Sequence, residues 1–333
     1  MDSTVTYITS DSAAQTAISE LQQFPKVCVD LETTGLCPRL SKPRLVQICD
    51  SSPAVEDRVV YVFDLFKIDS ASTESLLELL STREMWVGHN LYFDYQFFLS
   101  LGLQYKGKIF DTMIAERVLR AGFKEVKFSP KIQRKYFADI PNTLKAVAQR
   151  RLDIELDKEQ QTSDWSVDEL EKDQIEYAAG DVAILPAIAA NQLQELRDEE
   201  LLPVFSLESK IIGPVAKMSY TGFNVDVTKL KALEGQIQQE LDKLTNVFCE
   251  SLDERLPDNE KLPRTLDGAI SVSKNAKKGF NPGSTAQVIR YFDIIGIDVP
   301  RNYASGKKTL SQIDLAEFAS EDETLNHYRR RTK

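Results

Sequence analysis

The sequence contains few of the residues that build metal fingers and disulfide frameworks. Only four cysteines and two histidines occur among its 333 residues. The two histidines, His89 and His327, are too few for a histidine-rich metal site or a Cys2His2 finger. Spacings of 9, 12 and 200 residues between the cysteines match neither a zinc motif nor a disulfide framework, and indicate a reducing cytosol. The cysteines are Cys28, Cys37, Cys49 and Cys249.

Long apolar runs are also lacking. The longest, Val182–Ala190, has nine residues and contains Pro186, whereas a membrane-spanning helix needs about 20 apolar residues. The first residues, Met1–Val5, have neither the basic start nor the apolar run of a secretory signal. We therefore expect a cytoplasmic protein with no membrane partner.

Charge is distributed unevenly along the chain. The net charge is −10, with a balance of +5 in residues 261–333 and −15 in residues 1–260. A basic tail on an acidic body is compatible with a polyanionic partner or with an ordinary solvated surface. A second basic stretch, residues 117–137, has aromatic residues between its lysines and arginines, a composition found in grooves that bind single strands.

The first 200 residues alternate between strand-like and helix-like segments. The close spacing of the first strands predicts antiparallel pairing, and the later alternation predicts an α/β sheet with helices on its faces. Residues 120–141 show no period and are interpreted as a surface loop or insertion. The predicted strands are Val5–Ile8, Val27–Asp30, Leu45–Cys49, Val59–Phe63 and Met85–Gly88, and the predicted helices are Ser10–Leu21, Ser70–Leu80 and Asn90–Leu101.

From about Asp173 the sequence is mainly helical. We expect Pro186 to kink or divide a long helix and Pro203 to mark the next boundary. Residues 256–278 are interpreted as a loop. Further helices are predicted at Leu207–Tyr220, from Thr228 to about Cys249, at Ser284–Ile295 and at Ser311–Ala319.

Three short segments are the most informative about function. In Val27-Cys-Val-Asp30-Leu-Glu32, two acids follow an apolar strand, and residues i and i+2 of a strand point to the same face. Two adjacent carboxylates repel each other, and a hard divalent cation such as Mg²⁺ or Mn²⁺ relieves that repulsion. Two solvated acids at a strand end would give the same pattern.

The other two segments place acids on helices. Asn90-Leu-Tyr-Phe-Asp94 follows a predicted strand, so Asp94 either complements the helix dipole or projects towards the edge of the sheet. His89 is either a polar contact or a loop residue. Tyr177 and Asp181 are four residues apart and therefore neighbours on a helix, where a structural Tyr–Asp hydrogen bond is also common.

Taken in order, these segments resemble the DEDDy group of 3′–5′ exonucleases over roughly residues 1–200. The segments Phe110-Asp111-Thr112-Met113, Thr162–Ser166 and Gln174–Ala179 are similar to the same family. The resemblance implies an RNase H-like fold with a five-stranded mixed sheet. The related group with a histidine in place of the tyrosine is disfavoured, because Tyr177 stands at the matching spacing.

The resemblance also implies roles and two divalent cations, Mg²⁺ or Mn²⁺. Asp30, Glu32 and Asp181 would bind the first cation, and Asp30, with Asp94 acting through water, would hold the second. Tyr177 would orient the attacking water. Leu36 would wedge against the terminal base, Asn90 would contact the terminal nucleotide, and His89 and Thr33 would line the substrate site. Two cations about 3.5–4 Å apart suit phosphodiester hydrolysis.

Residues 207–333 resemble a different part of the family A DNA polymerases. Residues 207–226 are similar to the segment that leaves their proofreading domain, and residues 280–290, 306–311 and 326–331 are similar to the start of their thumb. We therefore expect an exonuclease domain over residues 1–202 and a helical region over residues 203–333. Because no palm or fingers follow, this chain alone is not expected to polymerise DNA.

Three functional hypotheses remain open at this point. The first is a 3′–5′ exonuclease acting on single-stranded or frayed DNA 3′ ends, related to proofreading in replication and repair, and located with a bacterial or phage-like nucleoid. The second is an RNase D-like enzyme that trims RNA. The third is a catalytically inactive module that binds nucleic acid. Any polymerase partner is unknown.

Overall fold

The structure, a computed structural model, describes residues 3–53, 58–129, 134–156, 163–273, 279–302, 306–312, 315 and 322–332. The chain forms two compact units, Met1–Gly222 and Phe223–Lys333. The second unit therefore begins after Gly222, and the end of the exonuclease domain at residue 202 stays a prediction.

A mixed sheet forms the centre of the first unit. Its strand order is β1-β4-β3-β2-β5-β6. β2, β3 and β4 pair antiparallel, as predicted from their close spacing, while β1 with β4, β2 with β5 and β5 with β6 pair parallel. The strands are β1 Ser3–Ile8, β2 Lys26–Thr33, β3 Pro43–Asp50, β4 Arg58–Asp64, β5 Met85–Gly88 and β6 Lys108–Asp111.

The expected count of five strands is wrong, because this sheet has six. All five strands predicted from the sequence are present. The additional strand, β6, has four residues and begins with a lysine, so it shows too little apolar alternation to be recognised.

Helices cover both faces of the sheet, because alternate strand residues point to opposite sides. Val29 and Leu31 of β2 belong to a core with α1, α2 and α3, whereas Cys28 belongs to a second core with α4 to α7. The helix α8 contributes Ala216 to the first core and Phe205 to the second. The helices of this unit are α1 Asp11–Leu21, α2 Ser70–Ser81, α3 Leu91–Ser100, α4 Thr112–Leu119, α5 Leu144–Leu152, α6 Lys172–Ala183, α7 Leu185–Asp198 and α8 Leu202–Thr221.

Local sequence explains where several of these helices begin. Ser10 accepts the N–H of Ala13 at the start of α1, and Asp69 accepts that of Ser72 at the start of α2. The predicted break near Pro186 is confirmed, since α6 ends at Ala183 and α7 begins at Leu185. Each cap satisfies a backbone donor that the helix itself leaves unpaired.

The interpretation of residues 120–141 as a loop is wrong over most of its length. β7 (Lys124–Ser129) and β8 (Arg134–Asp139) pair antiparallel as a separate two-stranded sheet. Phe137 is 77% exposed and Val126, directly opposite it, is 58% exposed. Both faces of the hairpin carry polar and aromatic residues, and β8 shows no period of two in the sequence.

The second unit is mainly helical, as expected. It contains α9 (Val227–Arg255), a 3-10 turn at Asp258–Glu260, α10 (Thr285–Ile294) and α11 (Glu323–Thr332). Phe248, Phe280, Phe292 and Tyr328 form its aromatic core. The predicted loop after α9 contains this turn and short bridges such as that between Arg264 and Ile270.

Two further expectations concern membranes and cysteines. Within the described residues, no helix is both long and apolar enough to cross a bilayer. All four cysteines are free thiols, and only Cys37 is exposed. Most of the helix predicted at residues 311–319 lies outside the described residues.

Candidate active site

The carboxyl end of β2 places two acids on one face of the sheet. Asp30 and Glu32 alternate with Val29 and Leu31, so they point to the side that α6 covers. Gln47 on β3 lies directly opposite Asp30 in the strand register. This end of β2 therefore carries two partly buried carboxylates, Asp30 and Glu32, beside the buried amide of Gln47.

Gln47 has a signature that the sequence does not reveal. Its side chain is fully buried, and neither its amide oxygen nor its amide nitrogen has a hydrogen-bond partner among the described residues. Such unsatisfied groups are costly inside proteins, and native structures contain few of them. Gln47 lies beside Asp30 because of the register in which β2 and β3 pair. No sequence motif indicates this position.

Helix α6 brings the third segment to the same place. Ala178, Ala179 and Val182 pack into the core below it, which turns Tyr177 and Asp181 towards the strand end. The Tyr177 hydroxyl hydrogen-bonds Asp181, and burial raises the pKa of that phenol far above its usual value. The charges of Asp181, Glu32 and Asp30 raise it further. The Tyr177 hydroxyl therefore lies close enough to three carboxylates for each of them to raise its pKa.

Asp94 completes the group from the opposite side. It lies in the first turn of α3 and is 3% exposed. Burial raises the pKa of its carboxyl well above 3.8, and the charge of Asp30 is the next largest cause. The structure thus brings together all five residues that the sequence predicted to act in one site: Asp30, Glu32, Asp94, Tyr177 and Asp181.

The turn that leads into α3 is held by an acid from another strand. Asn90 adopts a left-handed conformation, φ 64°, and its side chain does not cap the helix. Asp111 accepts the backbone N–H groups of Asn90 at 3.2 Å and of Leu91 at 2.7 Å, and it also caps α4. Asp111 belongs to the segment Phe110–Met113, which resembles the exonuclease family in sequence. Only the fold shows that its carboxylate holds the turn before α3.

His89 lies in the same turn. Its Nδ1 is 2.9 Å from the hydroxyl oxygen of Thr112, which donates a hydrogen bond to the Gly88 carbonyl. The residue is partly buried. These contacts make His89 a polar contact as well as a residue of the connecting turn.

Residues 34–42 form a loop beside the acids, directly after Thr33 at the end of β2. Thr33 donates a hydrogen bond to the Gly35 carbonyl at 2.8 Å, and Leu36 is 86% exposed. Arg39 donates to the carbonyls of Tyr220 and Thr221 at the end of α8. The loop is therefore tied to α8, while the Leu36 side chain projects into solvent.

A buried ion pair fixes the segment that precedes α6. Arg44 Nε is 2.8 Å from Asp64 Oδ1, and neither side chain is exposed. The same guanidinium donates to the carbonyls of Val167 at 2.5 Å and Asp168 at 3.0 Å. Since α6 follows directly, this contact helps to position Tyr177 and Asp181 over β2.

Four carboxylates with a phenol form a set of hard oxygen donors, which suits Mg²⁺ or Mn²⁺ better than softer metals. The charge of Asp30 acting on the pKa of Asp94 shows that these acids repel one another. Across the described residues, no three His, Cys, Asp or Glu side chains are already arranged around a common metal position. The donor chemistry fits a divalent cation, although the cage is not preformed.

Comparison with known proteins identifies the first unit. The 3′–5′ exonuclease domain of DNA polymerase A matches residues 5–197. DNA polymerase I of Aquifex aeolicus (strain VF5) is 32% identical over 257 residues, which cover 71% of this chain and 39% of the polymerase. The chain therefore spans about two fifths of that relative.

Solved structures share the fold. Brucella melitensis NrnC bound to pGG superposes with a TM-score of 0.51 at 23% identity, over 67% of this chain and 95% of NrnC. The catalytic core of RRP6 from Trypanosoma brucei gives a TM-score of 0.51 at 20% identity, over 63% of this chain and 51% of that one. With these neighbours, the expectation of an RNase H-like α/β fold is confirmed. The chain belongs to the 3′–5′ exonuclease family of the DNA polymerase A proteins.

Proposed function

We propose that this chain is a metal-dependent exonuclease that hydrolyses the terminal phosphodiester at DNA 3′ ends by a two-metal mechanism and releases nucleoside monophosphates. The observation that carries the proposal is the convergence of Asp30, Glu32, Asp94, Tyr177 and Asp181 from three separate elements. The identity to a DNA polymerase supports DNA as substrate. Substrate strands would be single or frayed.

The family is divalent-metal dependent, and NrnC has been solved with bound Mg²⁺. Two Mg²⁺ or Mn²⁺ ions would activate water and stabilise the charge that develops on the transferred phosphate. Asp30, Glu32 and Asp181 would hold one ion. Asp30 would also hold the other, with Asp94 supporting it through water.

The remaining residues act on water and substrate. Burial and three carboxylates keep Tyr177 protonated, so its hydroxyl can donate one hydrogen bond and accept another, which suits it to orient the attacking water. Leu36 projects into solvent beside the acids and would wedge against the terminal base. Asn90, with His89 and Thr33, would contact the terminal nucleotide. The left-handed backbone of Asn90 would set the direction of that contact.

The direct test is cleavage of a 5′-labelled DNA strand, with an RNA strand of the same sequence in a parallel reaction. With Mg²⁺ or Mn²⁺ the strand should shorten one nucleotide at a time from its 3′ end. Replacing Asp181 by Asn should lower kcat/KM by about 100-fold or more, and Tyr177→Phe by about tenfold. Glu176→Gln changes an exposed acid on the same helix and should leave the rate unchanged.

Three results would contradict parts of this proposal. An intact strand with either metal would leave an inactive nucleic-acid-binding module. Faster cleavage of the RNA strand than of the DNA strand would mean that the chain is an RNA-trimming exonuclease. A wild-type rate in Asp181→Asn would remove the metal-binding role from α6.

A further inference from the structure

A large groove lies at the end of the sheet opposite to the candidate active site. This groove has a volume of about 1440 Å³ and is lined by the beginnings of three strands and by one side of α8. Lys26 opens β2, Met85 opens β5 and Lys108 opens β6, and these three residues are adjacent in the strand register. The groove therefore lies at the amino ends of the same strands whose carboxyl ends carry Asp30 and Asn90.

The two locations are separate. Lys26 and Asp30 are four residues apart on β2, which corresponds to about 13 Å at the rise of an extended strand. Asp30, Glu32, Asp94 and Asp181 do not line the groove. A ligand in the groove would thus leave the acids accessible.

The groove is positively charged within an acidic unit. Residues 1–222 contain 24 Lys or Arg and 34 Asp or Glu, a net charge of −10, yet the groove is lined by five lysines and one acid, Glu84. In the part of the chain that the structure describes, none of these lysines is ion-paired. The lysines are Lys26, Lys106, Lys108, Lys210 and Lys217, and all five are exposed.

Four of these lysines lie in two rows, one row on each wall of the groove. Lys210 and Lys217 are seven residues apart on α8, which puts them on one side of the helix about 10 Å apart. Lys26 and Lys108 stand on the opposite wall, separated by the single strand β5 and therefore also by about 10 Å. Unpaired ammonium groups along both walls suit an elongated anion better than a compact one.

Between these two rows, the floor of the groove provides apolar side chains and one buried hydroxyl group. Leu99, Ile109 and Phe205 contribute apolar side chains. Ser209 is 7% exposed, lines the groove, and its hydroxyl has no hydrogen-bond partner among the described residues. A buried hydroxyl without a partner is costly, and a ligand phosphate or sugar oxygen would satisfy it.

We propose that this groove is a second nucleic-acid site, which holds phosphates of a single strand on its lysines at a distance from the cleavage site. The choice of nucleic acid over other polyanions rests on the proposed function. Electrostatic contact to the backbone is independent of sequence and strongly dependent on salt. The groove would then increase the residence time of a strand without taking part in hydrolysis.

Binding without metal tests the groove separately from cleavage. The full chain, in chelator, is titrated against a fluorescein-labelled thymidine strand of about ten nucleotides, and anisotropy is measured from about 50 to 200 mM salt. Lys210→Glu with Lys217→Glu should weaken binding at least tenfold at the lowest salt. The slope of log K against log salt should fall by about 1.4, the value for two lost phosphate contacts on a single strand. Ser209→Ala should weaken binding by about threefold without changing the salt slope.

The control has the same change in net charge. Arg197→Glu with Lys231→Glu alters two exposed basic residues on α7 and α9, outside the groove, and should weaken binding less than threefold. Equal losses in the two double variants would overturn the proposal. So would displacement of the strand by polyglutamate at equal charge, since the groove would then be a site for acidic protein segments.

Cleavage assays separate this proposal from the proposed function. The groove variants should still remove the terminal nucleotide from a saturating concentration of strand at the wild-type kcat, with a raised KM. A chain that binds strands through the groove but fails to cleave them would contradict the nuclease proposal alone. A chain that cleaves normally with unchanged KM in the groove variants would contradict the groove alone.

Discussion

At the scale of single residues, the buried carboxyl of Asp94 lowers the stability of the metal-free protein. Burial, followed by the charge of Asp30, raises the pKa of Asp94 well above 3.8. Between the ordinary and the raised pKa the native protein holds a proton that the unfolded chain has lost. Metal-free stability therefore falls as the pH rises through this range.

We expect Asp94→Asn to remove that penalty. In chelator, its Tm should exceed that of the wild type, and the gain should be larger at about pH 8 than at about pH 5. The same variant should cleave DNA about 100-fold more slowly or worse, because it loses a carboxylate of the proposed metal site. Thermal unfolding at both pH values and a cleavage time course measure the two effects.

Glu176→Gln serves as the matched control, since Glu176 is exposed on α6. Its Tm should show the pH dependence of the wild type. A lower Tm for Asp94→Asn at the higher pH would mean that the Asp94 carboxylate stabilises the metal-free fold, against the direction of its pKa.

The residues of the candidate site differ in how far the sequence predicts them. Asp30 and Glu32 follow an apolar strand, and Tyr177 and Asp181 have helical spacing, but periodicity left both pairs open to a structural interpretation. The ordered resemblance of the three segments to an exonuclease family selected them. Gln47 and Asp111 depend on which strands lie side by side. A single sequence gives no measure of such pairing, and these two residues could not have been assigned a place.

At the scale of elements, prediction succeeded where one face of an element is buried. The five predicted strands are short β-branched or aromatic runs, and α1 and α2 begin at side chains that cap them. The hairpin β7–β8 leaves its large apolar side chains exposed, and β8 has no apolar alternation that would distinguish it from a loop. The parallel pairing of β1 with β4 joins residues 55 positions apart, and local propensity carries no information on it.

Arg44 provides a test of how elements are joined. It is buried against Asp64 and donates to the carbonyls of Val167 and Asp168. Arg44→Ala should lower the free energy of unfolding by about 3–5 kcal/mol, because it leaves a buried carboxylate without its partner. Urea unfolding followed by circular dichroism measures the loss.

Lys67 is the matched comparison. It pairs with Glu169 in the same segment, but Glu169 is 85% exposed. Lys67→Ala should therefore cost less than about 1 kcal/mol. Equal losses for the two variants would show that the burial of Arg44 does not set its contribution.

At the scale of the whole molecule, the chain is two units with separate cores. The two cores of the first unit take residues up to Ala216, and the core of the second takes residues from Phe248 to Tyr328. We expect a fragment of residues 1–222 to unfold cooperatively and to retain cleavage with Mg²⁺. Calorimetry and the labelled-strand assay measure these properties, and a fragment without a cooperative transition would show that the first unit needs the second to fold.

The high pKa of Asp94 has a consequence for heat and acidity when a divalent ion enters the proposed site. An ion competes with the proton that the buried carboxyl holds, so its uptake should expel hydrogen ions into the medium. Titration calorimetry in buffers of different ionisation enthalpy would then give different apparent heats for the same ion. Affinity for the ion would strengthen in alkaline solution, and the enzyme would respond to both acidity and magnesium supply through one side chain.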